Sequence, residues 1–193
     1  MQIAIVKYNA GNVVSVTNTL NRLGVEPLYT DDPELLRKAD KVIFPGVGEA
    51  STAMNYLRER KLDKVLCDLH QPFLGICLGL QLMCKHTEEN DTQCLGIFDL
   101  EVKKFKATKK VPQIGWNLLY NLDSPLFDNM PQSPYIYFVH SFFAEVGSET
   151  VATADYSDTF SAALHKDNYY AVQGHPEKSS QTGQKILENF LSL

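Results

Sequence analysis

The chain has 193 residues, 44% of them apolar and 21% charged, with a net charge of −5 and a pI near 5.5. This length and balance suit one globular domain over residues 1–193, and its acidic surface argues against nucleic acid as a partner. No apolar run approaches the roughly 18 residues of a membrane span, and Met1–Tyr8 lacks the basic start of a secretory leader. A cytoplasmic setting with no membrane contact is therefore expected. In that setting the four cysteines, Cys67, Cys77, Cys84 and Cys94, stay reduced. Their spacing, like that of the histidines, fits no metal site.

In chain order, Ile3–Val6 reads as a buried strand. Asn12–Leu23 follows as a helix with Val13, Val16, Leu20 and Leu23 on one face and Gly24 at its end. Val25–Tyr29 is a second strand, and Asp32-Pro33 opens a short helix through Ala39. Val42–Phe44 is a third strand, closed by Pro45-Gly46. A helical stretch covers roughly Glu49–Leu69, and Phe73–Ile76 leads into Cys77. This alternation predicts a parallel sheet with helices on both faces. From Leu95 the pattern changes to successive strand-like runs: Leu100–Phe105, Gln113–Tyr120, Tyr135–His140, Thr150–Asp155, Ser161–Lys166 and Tyr169–Gln173. These read as antiparallel extensions of the same core. The lysines at 103, 104, 106, 109 and 110 read as a solvated edge strand and turn. Ser179 or Ser180 caps a closing helix whose apolar residues include Ile186, Leu187, Phe190 and Leu191.

Three short motifs carry chemistry. Gly75-Ile76-Cys77-Leu78-Gly79 follows an apolar strand, as a nucleophile elbow requires. The sharp turn needs small residues two before and two after the nucleophile, and it sets the sulfur at a helix N-terminus, where thiolate is favoured. A core cysteine beside two packing glycines is the bland reading of the same residues. Cys67 and Cys84 sit on helical apolar patterns and Cys94 precedes a strand, so all three read as ordinary thiols. An acyl intermediate also needs an oriented base. In His175-Pro176-Glu177 the extended geometry before proline puts positions 175 and 177 on one side of the chain, so the carboxylate can fix the imidazole tautomer. His140, at the end of Tyr137-Phe138-Val139-His140-Ser141, is a competing candidate. Oxyanion donors would come from the N–H of Leu78 and from the Pro45-Gly46-Val47-Gly48 loop, at Val47 and Gly48. That loop lacks the G-K-[ST] of a nucleotide-binding P-loop.

Taken together and in this order, P-G-V-G, G-I-C-L-G-L-Q and H-P-E resemble the class I (triad) glutamine amidotransferases over nearly the whole chain. The resemblance implies an α/β fold: a mostly parallel central sheet flanked by helices, with antiparallel strand extensions. It implies glutamine as substrate, with Cys77 attacking the side-chain amide and His175 and Glu177 completing a triad. Gln81, four residues after Cys77, matches a glutamine that helps hold the substrate, and Gly46, His140 and Ser141 join it as substrate-binding candidates.

Finer features, namely Tyr8-Asn9-Ala10-Gly11-Asn12, Ile114-Gly115-Trp116-Asn117, Tyr137–Ser141 and His175–Ser179, resemble the histidine-biosynthetic branch of that family. There a glutaminase passes ammonia to a separate (β/α)8-barrel cyclase, which makes imidazole glycerol phosphate and aminoimidazole carboxamide ribotide. This implies a heterodimer with Asn12, Trp116 and Lys178 at the partner face, and no organic cofactor or metal. A core position is the competing reading of Trp116. Other functional readings are a glutaminase serving the pyridoxal phosphate or anthranilate pathway, a partner-free γ-glutamyl hydrolase, and a non-catalytic interaction protein on the same fold. Gly174 departs from the family, in which an aromatic commonly precedes H-P-E.

Overall fold

The computed structural model describes residues 1–9 and 12–193; Ala10 and Gly11 of the Tyr8–Asn12 motif lie outside them. Seven strands build the main sheet: β1 (Ile3–Val6), β2 (Leu28–Thr30), β3 (Lys41–Gly46), β4 (Phe73–Cys77), β11 (Thr150–Asp155), β12 (Thr159–Lys166) and β13 (Tyr169–Val172). Their order is β11-β12-β13-β4-β3-β1-β2. The stretch β13-β4-β3-β1-β2 is parallel throughout, while β11 and β12 add antiparallel strands at one edge. The expected mostly parallel sheet with an antiparallel extension is therefore present. Two details differ. The run Tyr169–Gln173 is a parallel member beside β4, because the β12–β13 hairpin reverses the chain into that direction. Three other runs, Leu100–Phe105, Gln113–Tyr120 and Tyr135–His140, leave the main sheet for small ones. β7 (Glu101–Lys104) lies between β10 (Phe142–Ala144) and β5 (His86–Thr87), with β6 (Thr92–Gln93) outermost. β8 (Gln113–Leu118) and β9 (Tyr135–His140) form a separate two-stranded ribbon. The His86–Gln93 hairpin lacked a sequence signal, since each strand holds only two residues.

The strands of the main sheet alternate between two apolar layers. Ala4, Val6 and Phe44 join the layer that includes α2 (Pro33–Lys38), α3 (Ala50–Glu59), α4 (Leu62–Cys67) and α5 (Leu78–Met83). Ile3, Ile5, Ile43 and Leu74 join the layer under α1 (Val13–Arg22) and α6 (Ser180–Ser192). Burial on both faces explains why these strands read as continuous apolar runs.

The remaining differences from the sequence reading have local causes. The predicted Glu49–Leu69 helix is two helices, broken at Arg60-Lys61, with Lys61 at φ 57°. Continuing the register of Met54 and Leu57 would turn Arg60, Lys61 and Lys64 inward. The break lets Leu62, Val65 and Leu66 enter the core instead. Val25 belongs to the end of α1 rather than to β2. Gly24, at φ 78°, donates to Asn21 O, and Val25 N–H donates to Leu20 O, a two-bond helix stop. Asp32 caps α2 as expected, accepting from Glu34 N and Leu35 N. Ser179 occupies the N-cap position of α6, yet its hydroxyl serves elsewhere: it donates to His175 O at 2.6 Å and accepts from Tyr137 N at 2.9 Å.

Candidate active site

The topology brings the three motifs together. β3, β4 and β13 are adjacent and parallel, so their C-terminal ends share one edge of the sheet. Gly46 ends β3 and pairs with Cys77, which ends β4. Gln173, His175 and Glu177 follow the end of β13. Ligands bind at such an edge because the loops leaving it diverge and leave a crevice.

Cys77 has φ 55° and ψ −108°, a strained geometry for a side chain with a Cβ. The surroundings hold it there. A Cβ on Gly79 would collide with the Phe44 carbonyl oxygen, so that position demands glycine, and one on Gly75 would press on Met83 Sδ and on the backbone of Gly79 and Leu80. The whole of α5 is buried, which fixes Leu78 directly behind the sulfur. Tyr8 Oη donates to Pro45 O at 2.7 Å and holds the start of the Val47-Gly48 loop against this core.

His175 is 1% exposed, and its Nδ1 lies 2.8 Å from Glu177 Oε1. Burial by itself would lower the histidine pKa. The nearby sulfur of Cys77 and the hydrogen-bonded carboxylate of Glu177 outweigh it and raise the value to about 10. The protonated ring is thus favoured, and its Nε2 makes no hydrogen bond among the described residues. The Glu177 carboxylate carries a second hydrogen bond on the same oxygen, from Asn12 Nδ2. The placement of Asn12 at the base of α1 thus links it to the Glu177 carboxylate, a contact that its sequence motif did not announce.

His140 sits on the other side. Its Nδ1–H donates to Phe142 O at 2.7 Å, and its ring packs between Phe105, Phe138 and Phe160. Burial, with a smaller opposing effect from the Phe142 bond and a further push from the charge of His175, lowers its pKa to about 4. A neutral ring with Nδ1 protonated presents Nε2 as an acceptor. That atom is buried without a partner among the described residues.

A cleft of about 310 Å³ opens over Cys77, between Val47, Gly48, Leu78, Gln81, Glu89, His140 and Ser141. Of the sequence candidates for oxyanion and substrate binding, all but Gly46 line it; Gly46 lies underneath, hydrogen-bonded to the strand of Cys77. Glu89 is the residue that sequence reasoning missed. It lies in the turn between β5 and β6 and reaches the cleft only because Ala50 N, at the start of α3, donates to its Oε2 at 2.8 Å. Burial raises its pKa, against the opposing effect of the Ala50 bond. A larger surface groove of about 820 Å³, bordered by Asp123, Asp128, Gln132 and His165, shares no residue with this cleft and contains none of the motifs.

None of the other cysteines lines this cleft. Burial pushes the Cys84 thiol well up, and Cys94 rises to about 12 for the same reason. Burial of part of the group and the charges of Asp63 and Asp68 bring Cys67 to about 11. All three are thiols at neutral pH. At Gly174, a Cβ would crowd Ile136 Cδ1 at 2.7 Å, so Ile136 already fills space that a side chain here would take. Lys178 is exposed. Trp116 is 52% exposed on a ribbon face with Ile114 and Tyr135, which overturns the core reading of this tryptophan.

A strained cysteine elbow, an adjacent histidine–carboxylate pair and a cleft sized for a small ligand make a candidate site for cysteine-dependent acyl transfer on a mostly parallel sheet. The family model for class I glutamine amidotransferases matches residues 5–193, and the chain belongs to that family. Among curated relatives, the imidazole glycerol phosphate synthase subunit HisH of Bacteroides thetaiotaomicron is 55% identical over 196 residues, covering 100% of both chains. The subunit of the same name from Idiomarina loihiensis is 42% identical, covering 100% of this chain and 98% of its own. Two solved structures show the same fold. One described as a glutamine amidotransferase has TM-score 0.76 at 19% identity, covering 98% of this chain and 97% of that one. A glutamine amidotransferase of Thermotoga maritima has TM-score 0.65 at 17% identity, covering 99% and 82%.

Proposed function

We propose that this chain, acting as one domain, is the glutaminase subunit of an imidazole glycerol phosphate synthase in histidine biosynthesis, working in the cytosol. The observation that carries the chemistry is the convergence of Cys77, His175 and Glu177 at neighbouring strand ends. The full-length identity to subunits named HisH carries the pathway.

In this reading the Cys77 sulfur attacks the side-chain carbonyl carbon of glutamine. The developing oxyanion meets the N–H of Leu78 and an N–H of the Val47-Gly48 loop. His175 gives its proton to the leaving nitrogen, which departs as ammonia, and a thioester remains. Water then attacks the thioester while His175 takes a proton from it, and glutamate leaves with the thiolate restored. Gln81, His140 and Ser141 bound the substrate, and the free oxygen of Glu89 faces its α-ammonium. A (β/α)8-barrel cyclase receives the ammonia. The ribbon face of Ile114, Trp116 and Tyr135, the exposed Lys178, and Asn12 beside the triad are the surface offered to it. No helix among the described residues is long and apolar enough to cross a membrane.

The test uses the purified chain with its cyclase. Cys77→Ala is expected to abolish glutamine-dependent product formation and to leave formation from added ammonium salts intact. Normal glutamine turnover by Cys77→Ala would refute the mechanism. Failure of any such cyclase to bind would refute the pathway while leaving the chemistry standing.

A further inference from the structure

Gln173 is fully buried two residues before His175, in the stretch joining β13 to the triad turn. Its backbone N–H donates to Ala162 O at 2.8 Å, so its place in the sheet is set without the side chain. The side-chain amide has two neighbours. Gln173 Oε1 lies 3.1 Å from Gln81 Nε2, and Gln173 Nε2 lies 3.7 Å from Cys77 Sγ.

The orientation of both amides follows from a single fixed acceptor. Phe142 O is a carbonyl and only accepts, so Gln81 must turn its Nε2 toward it, at 2.8 Å. The same Nε2 reaches Gln173, which must answer with its oxygen, because its nitrogen would set donor against donor. The Gln173 nitrogen is then left pointing at the sulfur. Phe142 O, which also accepts from His140 Nδ1, therefore dictates the direction of a two-amide chain that ends on Cys77. It also leaves Gln81 Oε1 free of these bonds, in the residue that lines the cleft.

We propose that Gln173 is a further catalytic residue, a neutral buried donor whose side-chain N–H bonds the Cys77 sulfur and favours the thiolate over the thiol. This rests on Cys77 being the nucleophile. A hydrogen bond to the charged form of a group stabilises that form. A lone helix N-terminus of six residues is a weak source of such stabilisation, whereas an amide locked by Gln81 loses no rotamer freedom when it donates. A purely structural Gln173 would exist to satisfy Gln81, and one substitution separates the two roles. Gln173→Glu keeps an oxygen for Gln81 Nε2, removes the donor to sulfur and adds a competing negative charge. Gln173→Met removes the donor at similar volume without a charge.

The experiment follows the rate of Cys77 alkylation by iodoacetamide against pH in the full chain, read by mass spectrometry of the Cys77 peptide, together with glutamine turnover in the complex. A hydrogen bond to a charged group corresponds to about one to two pH units. Gln173→Glu is expected to move the alkylation midpoint upward by about that amount and to lower kcat at neutral pH about 10- to 100-fold, with KM for glutamine within about threefold. Gln173→Met should shift in the same direction by less. Folded variants whose midpoints coincide with the parent's would overturn the proposal, as would a kcat loss matched by an equal rise in KM. If alkylation of Cys77 leaves glutamine turnover of the parent intact, the nucleophile assignment itself fails. That result is distinct from coincident midpoints on a parent that alkylation inactivates.

Discussion

Glu89→Gln tests how the cleft recognises its substrate as an amino acid. Glu89 is the acidic side chain among the lining residues, and one of its oxygens is committed to Ala50 N at 2.8 Å. Glutamine at this position keeps an oxygen for Ala50 and nearly the same volume, so α3 and the β5–β6 turn should stay in place. What is lost is the charge facing the α-ammonium. At about 4 Å and an effective dielectric near 20, two unit charges attract by about 4 kcal/mol, an upper bound before desolvation. A charge-assisted hydrogen bond nets about 1.5–3 kcal/mol. Taking about 2 kcal/mol, KM for glutamine should rise roughly 30-fold, with kcat nearly unchanged because the ammonium lies away from the reacting carbonyl. The assay is glutaminase turnover in the complex on glutamine and on glutaramic acid, which lacks the α-amino group. The parent should discriminate between them and Glu89→Gln should largely lose that discrimination, as a double-mutant cycle requires. Equal losses of kcat/KM on both substrates would refute ammonium recognition and return Glu89 to a purely structural bond to α3.

Trp116→Ala should weaken cyclase binding at least tenfold in a calorimetric titration while the melting temperature of the isolated chain stays close to the parent's, since Trp116 is half exposed; unchanged affinity would remove it from the interface. His140, with its pKa near 4 in the folded chain against about 6.5 unfolded, binds fewer protons when folded, so its contribution to stability is full above pH 6.5 and is lost as pH falls toward 4. By pH 5 that loss is about 2 kcal/mol. Urea unfolding at pH 7 and pH 5 should show it in the parent and not in His140→Leu, where Phe142 O still accepts from Gln81; the same acid loss in both proteins would assign it to other groups.

The parallel half of the fold was legible because strands buried on both faces are continuous apolar runs and their helices carry caps of defined chemistry, as at Asp32-Pro33. The candidate-site motifs could be read because an elbow and an H-P-E turn are local in sequence, and the structure brings them to adjacent strand ends. What escaped was set by distant contacts. Nothing around Glu89 marks it until Ala50, 39 residues away, holds its carboxylate at the cleft. Asn12 gains its meaning from Glu177, 165 residues on. The runs of β7 to β9 have the right alternation for strands, but whether they extend the main sheet or form small sheets of their own depends on pairings that composition does not encode. The α3–α4 break is intermediate: the inward turn of three basic residues in a continuous helix was available in the sequence, and the αL residue that relieves it was not.

The two buried histidines nearest the candidate nucleophile, His140 in the cleft wall and His175 beside Cys77, show why the roles suggested by the sequence are not interchangeable. Both lie at strand ends and both are nearly inaccessible, so burial lowers the pKa of each. The difference lies in what the other atoms touch. His175 has a carboxylate on Nδ1 and a sulfur on the far side, and these two partners reverse the effect of burial. His140 has a backbone carbonyl on Nδ1 and aromatic rings around it, and a carbonyl dipole is too weak to do the same. At neutral pH one ring is therefore a donor able to protonate a leaving nitrogen, and the other is an acceptor that cannot. A base with a pKa near 4 would also be a poor match for a thiol proton, so pairing His140 with Cys77 would yield little thiolate. The cationic ring in turn makes its neighbour harder to protonate, since the charge on His175 is itself one of the causes lowering His140. The pair thus separates into an acid and an acceptor through their environments, and the two partners of His175, the Cys77 sulfur and the Glu177 carboxylate, decide which is which.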